Sequence, residues 1–114
     1  MTKYLISFPS SAMSHLSEAE LHAASEDSRA VVRAAKEAGV WVFGGALDDG
    51  APPLLVAADG STSAETYPER ARFDGGFALF ELPDDEAAVE WAARIAAACR
   101  CPQDVRPFHF DPES

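Results

Sequence analysis

The sequence predicts an α+β fold of β-α-β-β-α-β order, with a small hairpin inserted between its second and third long strands. Two segments of helical period each open on a residue suited to cap a helix, and the runs between them are apolar on both faces, as covered strands are. Asp59-Gly60, set between two short strand-forming runs, marks the hairpin. With 114 residues, 47% of them hydrophobic, the chain has the length of one domain, residues 1–114, able to bury a core without metal or disulfide staples.

Residues 3–8 are aromatic and β-branched, and Pro9 ends them, so they read as the first strand. Ser17 then stands where an N-cap belongs. Glu20 three residues on completes a capping box, and Leu16 and Leu21 flank it as a hydrophobic staple. Leu21, Ala24, Ser28, Val31, Val32, Ala35 and Ala38 recur at helical spacing up to Gly39, a residue suited to the left-handed position after a helix. Residues 18–38 are therefore expected to be helical.

Residues 40–47 form a strand without a polar member, in which Trp41 and Phe43 alternate with Val40 and Val42. Asp48, Asp49, Gly50, Pro52 and Pro53 turn the chain. Residues 54–58 and 61–63 then flank Asp59-Gly60 as a two-residue type I′ hairpin at a sheet edge. Residues 64–75 lack a clean period and contain Pro68, which predicts a loop lying over a cleft. Residues 76–82 make the third long strand, apolar except for Glu81. Pro83 stops it, and Asp84 caps a second helix with Ala88, Trp91, Ala92, Ile95 and Cys99 along one face. Residues 104–110 close the chain as an edge strand, because Pro107 has no N–H to give a ladder.

This order is the ferredoxin-like pattern, in which two helices cover one face of an antiparallel sheet. The other face stays bare, and in these strands both faces are apolar. An exposed apolar sheet of several hundred Å² is uncommon on a monomer, so two copies are expected to pack sheet to sheet as a symmetric homodimer.

Nine basic against nineteen acidic side chains give a net charge of −10, and no segment is basic: residues 1–40 carry 4 and 5, residues 41–83 carry 2 and 7, residues 84–114 carry 3 and 7. Phosphate neutralisation supplies most nucleic-acid affinity, so nucleic acid and anionic membrane surfaces are disfavoured as partners. No apolar run reaches the length of a spanning helix, the segment before Pro9 is too short for a signal peptide's core, and the expected location is the cytoplasm. Cys99 and Cys101 flank Arg100, too close for an unstrained bridge, and read as reduced structural thiols. No motif calls for a metal or another cofactor.

Several residues could carry chemistry. His15, just before the first helix, occupies a loop where a ligand-facing side chain is reasonable, whereas His22 falls on that helix's solvent face beside Glu26, Arg29 and Arg33. Asp27 flanks the apolar stripe. Glu81, alone among apolar neighbours, is either at a solvent margin or in a cleft that would suit it to proton transfer. His15, Asp27 and Glu81 are thus the acid/base candidates. Arg106, with a planar fork for a carboxylate or enolate or else for an ion pair with an acidic group across an interface, His109 on the same strand and Asp74 before the third long strand are the candidate ligand-binding residues. Gly44-Gly45 and Gly75-Gly76 lack phosphate-loop spacing and suit close strand packing.

The opening Lys3-Tyr4-Leu5-Ile6, the segment from Gly76 to Pro83, the helix pattern from Glu86 through Glu90-Trp91-Ala92, and the closing Val105-Arg106-Pro107-Phe108 resemble the YCII-related family and its DGPF-domain branch over residues 3–110. The resemblance implies a dimeric ferredoxin-like α+β barrel with one cleft per subunit for small organic molecules. It also implies lyase or isomerase chemistry in some members and links with alternative sigma factors in others. The family's proposed catalytic His stands eleven or twelve residues before the helix-ending Gly, a position held here by Ser28 or Asp27. Asp59-Gly60-Ser61-Thr62 lacks the Pro and Phe of the DGPF motif. Two functions are expected on this basis: binding of a small acidic or aromatic molecule in a subunit cleft, with acid/base lyase or isomerase activity as its sharper form, or a non-catalytic regulatory module that engages a protein partner. A haem or quinone monooxygenase shares the architecture.

Overall fold

The computed structural model describes residues 1–69 and 73–114. Strand β1 (Thr2–Phe8) leads through a 3-10 turn (Ser10–Met13) to helix α1 (Glu18–Glu37) and strand β2 (Trp41–Ala46). A hairpin of β3 (Leu55–Val56) and β4 (Thr62–Ser63) precedes β5 (Gly76–Leu82), helix α2 (Asp85–Cys99) and β6 (Asp104–Pro107). The strands pair antiparallel in the order β2-β5-β1-β6, while β3 and β4 form a separate two-stranded sheet. Two helices with one four-stranded antiparallel sheet make this an α+β fold compatible with a ferredoxin-like class.

The helix boundaries follow local chemistry. The Ser17 hydroxyl accepts from the Glu20 amide at 3.2 Å, and the Glu20 carboxylate accepts from the Ser17 amide at 3.1 Å, so two N–H groups left over at the helix start are satisfied reciprocally. Gly39 takes φ +73° just beyond the C-terminal end of α1, as its position requires. Asp84 accepts from the Ala87 amide at 2.9 Å to open α2. That helix ends on Arg100, which adopts the left-handed conformation at φ 60° without being glycine. Its guanidinium is anchored twice: Nη1 donates to the Ala98 carbonyl, and Nη2 meets the Asp27 carboxylate of α1 at 2.9 Å.

The core lies between the helices and one face of the sheet. Tyr4 and Ile6 of β1, Phe80 and Leu82 of β5, Ala35 of α1, and Ala88 and Ala92 of α2 are buried there, with Val105, Trp41, Trp91 and Ile95 packed around them. The alternation that puts Tyr4 and Ile6 inward turns Lys3, Leu5 and Ser7 to the opposite face. Tyr4 Oη donates to Asp85 Oδ1 at 2.7 Å, tying β1 to the first turn of α2; that bond, with desolvation and the charge of Asp85, pushes the phenol up to about 12.

Two local expectations are corrected. Trp41 pairs with Phe80 but Phe43 pairs with Leu79, so Val42 is an extra residue in a β-bulge and Trp41 and Phe43 point to opposite faces. Trp41 lies edge-on to Phe80, with ring centroids 5.4 Å apart, and its indole covers Gly44, where a Cβ would have no room. The hairpin turn is not type I′. Ala57 pairs with Ser61, Gly60 donates back to Ala57, and only Gly60 has positive φ (+88°), which is a three-residue loop. Asp59 chooses it by accepting from both the amide and the hydroxyl of Ser61, bonds that hold it in an ordinary conformation. Smaller differences are that α1 stops at Glu37 and β6 at Pro107.

Candidate functional site

The helices occupy one face of the sheet, and the other is open. Leu5 of β1 and Phe77 and Leu79 of β5 are half-buried there, and Phe43 of β2 is 63% exposed. On this face, at the end of the sheet where β1 finishes and β5 and β6 begin, a cleft of about 550 Å³ is lined by Ser7, Phe8, Pro9, Ser11, Phe73, Asp74, Phe77, Asp104 and Arg106.

Each lining residue has a reason to be there. Ser7 stands opposite both Phe77 and Asp104 in the ladders, and Arg106 stands opposite Leu5, so strand alternation alone sets these side chains on the open face. Phe73 packs against Phe77 with ring centroids 4.9 Å apart and the rings tilted by 37°, forming an aromatic wall. Asp74 works as a clamp: its Oδ1 accepts from the Ser10 amide at 3.1 Å and its Oδ2 from the Ser10 hydroxyl at 2.8 Å, fixing the start of the 3-10 turn that carries Ser11. Gly75 beside it has φ +89°, and its backbone runs so close to the Phe8 carbonyl and the Ser10 amide that no side chain would fit. Arg106 has no ion pair or side-chain hydrogen bond among the described residues, so its guanidinium fork is free to take a planar oxyanion.

Two of the three expected ligand-binding residues, Arg106 and Asp74, thus meet in one cleft, although both Asp74 oxygens are already engaged by Ser10. His109 lies beyond the end of β6, exposed, and does not line the cleft. The three acid/base candidates are dispersed. His15 is exposed between the 3-10 turn and α1. Asp27 belongs to the helical layer, on the far side of the sheet, where it is ion-paired with Arg100. Glu81 shares the open face but sits opposite Lys3, four residues and thus about 13 Å along β5 from Phe77. The expected loop 64–75 contributes Phe73 and Asp74 to the cleft wall; residues 70–72 of it lie outside the described residues.

Ser7, Ser11, Phe73 and Phe77 complete the site without having been singled out as ligand-facing. Ser7 could have been found, as the polar residue that follows Leu5 on its side of β1 where the strand ends. Elsewhere, Cys99 and Cys101 are free and buried, and burial pushes both thiols up. Among the described residues no three His, Cys, Asp or Glu side chains gather around a common point that would hold a metal, and no helix is long and apolar enough to cross a membrane. Compared with known proteins, the chain matches no family model and no curated protein.

Proposed function

We propose that this chain binds a small aromatic or conjugated carboxylate in the cleft at the end of its open sheet face, and that two copies pair through those faces as a homodimer. The observation that carries the binding is the juxtaposition of the Arg106 guanidinium, unpartnered among the described residues, with the Ser7 and Ser11 hydroxyls and the Phe73–Phe77 wall. A carboxylate takes two parallel hydrogen bonds from the Arg fork, the hydroxyls serve a neighbouring oxygen, and the ring or conjugated chain of the ligand lies on the phenylalanines. The pairing is supported by the apolar character of the open face around Phe43, Leu5 and Leu79. This assembly and ligand class agree with the YCII-related resemblance, and membership of that family is part of the proposal. Acid/base chemistry is left outside it, because His15, Asp27 and Glu81 stand apart from the cleft.

Isothermal titration tests the binding, with benzoate and cinnamate set against benzamide and cinnamamide. The acids should bind and the amides should not. Arg106→Ala should weaken the acids by about 10- to 100-fold, the loss of a charge-assisted bond worth about 1.5–3 kcal/mol. Equal binding of acid and amide, or an Arg106→Ala variant with unchanged Kd, overturns the reading.

A further inference from the structure

The β3–β4 hairpin is an arm with no obvious work to do in its own subunit. Its strands are two residues each, they join no strand of the main sheet, and among the described residues their one substantial element contact is with each other. A lone two-stranded hairpin is marginal in water and usually gains its stability from something packed on it. The arm nonetheless presents apolar side chains to solvent: Leu54 is 64% exposed, Val56 62% and Tyr67 72%. Tyr67 lines a groove of about 240 Å³ together with Leu55 and Val56. The projection shows in the dimensions too, for the radius of gyration is 15.8 Å where a compact chain of this length has about 13 Å.

We propose that this arm is a clasp that docks on a second copy of the same chain. The inference rests on the homodimer reading above and deepens it. The arm is rooted where Leu47 donates to the Gly75 carbonyl and Ala46 pairs with Gly76, at the sheet end that holds the cleft. The area decides the occupant. Val42, Phe43, Phe73 and Phe108 expose roughly 400 Å² of apolar surface on the body, and Leu47, Leu54, Val56 and Tyr67 a similar amount on the arm. A stable interface buries about 800 Å² per partner, a little over half of it apolar, so the patch on the body stands at the lower margin and the arm's addition carries it clear. A two-fold axis buries both patches of both copies at once, each arm on the other body, so the same residues serve as clasp and as seat.

The test is a comparison of dimer dissociation constants by sedimentation for the wild-type protein and a Leu54→Ser/Val56→Ser/Tyr67→Ser variant. The arm adds nothing to the subunit's own core, so far-ultraviolet circular dichroism should be unchanged while the dissociation constant rises at least roughly 100-fold. A wild-type dimer with an equally tight variant dimer overturns the clasp and leaves the homodimer standing, whereas a monomeric wild-type protein overturns both. Hydrogen exchange at the Ala57 amide of the wild type gives an answer that needs no variant. Protection above the dimer midpoint and loss of it on dilution supports the clasp; exchange equally fast at both concentrations overturns it.

Discussion

Adding one methyl group to Gly44 would test how β2 meets the helices. A Cβ at this position lies 2.6 Å from Trp41 Cζ2, nearer still to Cη2, and 3.2 Å from the Phe77 carbonyl. The indole therefore has to leave its place against Phe80, where the rings meet at 85°. Overpacking of this kind costs about 1–3 kcal/mol, and the displaced edge-to-face pair accounts for about 0.5–1.5 kcal/mol of that. Gly44→Ala should thus destabilise the protein by about 2 kcal/mol, lowering Tm by about 8 °C for a chain of this size. Alanine is otherwise the better strand residue by about 0.5–1 kcal/mol. The same substitution in a Trp41→Leu background should accordingly be neutral or slightly stabilising, a coupling of about 2 kcal/mol. Urea denaturation of the four proteins, at one protein concentration so that association does not enter, closes the cycle. Additive effects would mean that Trp41 does not lie over Gly44, and the bulge at Val42 that turns it inward would have to be abandoned.

Gly75→Ala should be more damaging, by above about 2 kcal/mol, because φ +89° is unfavourable for alanine and the new Cβ would fall on the Phe8 carbonyl and 2.7 Å from the Ser10 nitrogen; a variant as stable as wild type in thermal melts would refute the close approach. Cys99 and Cys101, 7% and 4% exposed with thiols pushed up by burial, should react with iodoacetamide at pH 8 far more slowly in the native protein than in urea, and mass spectrometry showing equal rates would contradict their burial. The Ser17 amide and hydroxyl hold the Glu20 carboxyl below its ordinary value of 4.5. A depressed folded value means that its contribution is complete above about pH 4.5 and is lost as pH falls through the folded value. Glu20→Gln should flatten that part of the acid-stability curve, and an unaltered slope in denaturation series between pH 6 and pH 3 would count against the capping box. Because each copy carries −10, raising sodium chloride from about 0.02 to 0.5 M should tighten the proposed dimer by screening like charges; sedimentation showing the reverse would place attractive ion pairs in the interface instead.

Where a structural decision is made by residues close together in the chain, the sequence announces it. Ser17 with Glu20, Asp84 before its helix and Gly39 after the other are local bonds or local conformations, and each is found where its residue type suggests. The run from Gly76 to Leu82 is legible because its composition leaves no alternative to a covered strand. The bulge at Val42 was hidden, since an alternating pattern carries no mark of its own phase and four apolar residues in a row fit either register. The hairpin loop depended on which groups Asp59 would bind, a matter of two hydrogen bonds rather than of residue type. The cleft is the least local feature of all. Ser7, Ser11, Phe73, Phe77 and Arg106 come from strands and loops distant in the chain, and only the order β2-β5-β1-β6 brings them to one end of the sheet. Arg106 and Asp74 could be chosen for their chemistry, but that Asp74 would spend its oxygens on Ser10 was written nowhere along the chain.

The two margins of the main sheet have a bearing on how far association can proceed. A regular edge strand is a template on which further chains add laterally into fibres. Here β2, apolar throughout, is broken by the Val42 bulge, and β6 presents Pro107, which has no N–H to offer a newcomer. Lateral growth is interrupted on both sides. In the proposed pairing through the broad face a two-fold contact uses up its own surface, and neither margin offers a regular edge on which the sheet could lengthen.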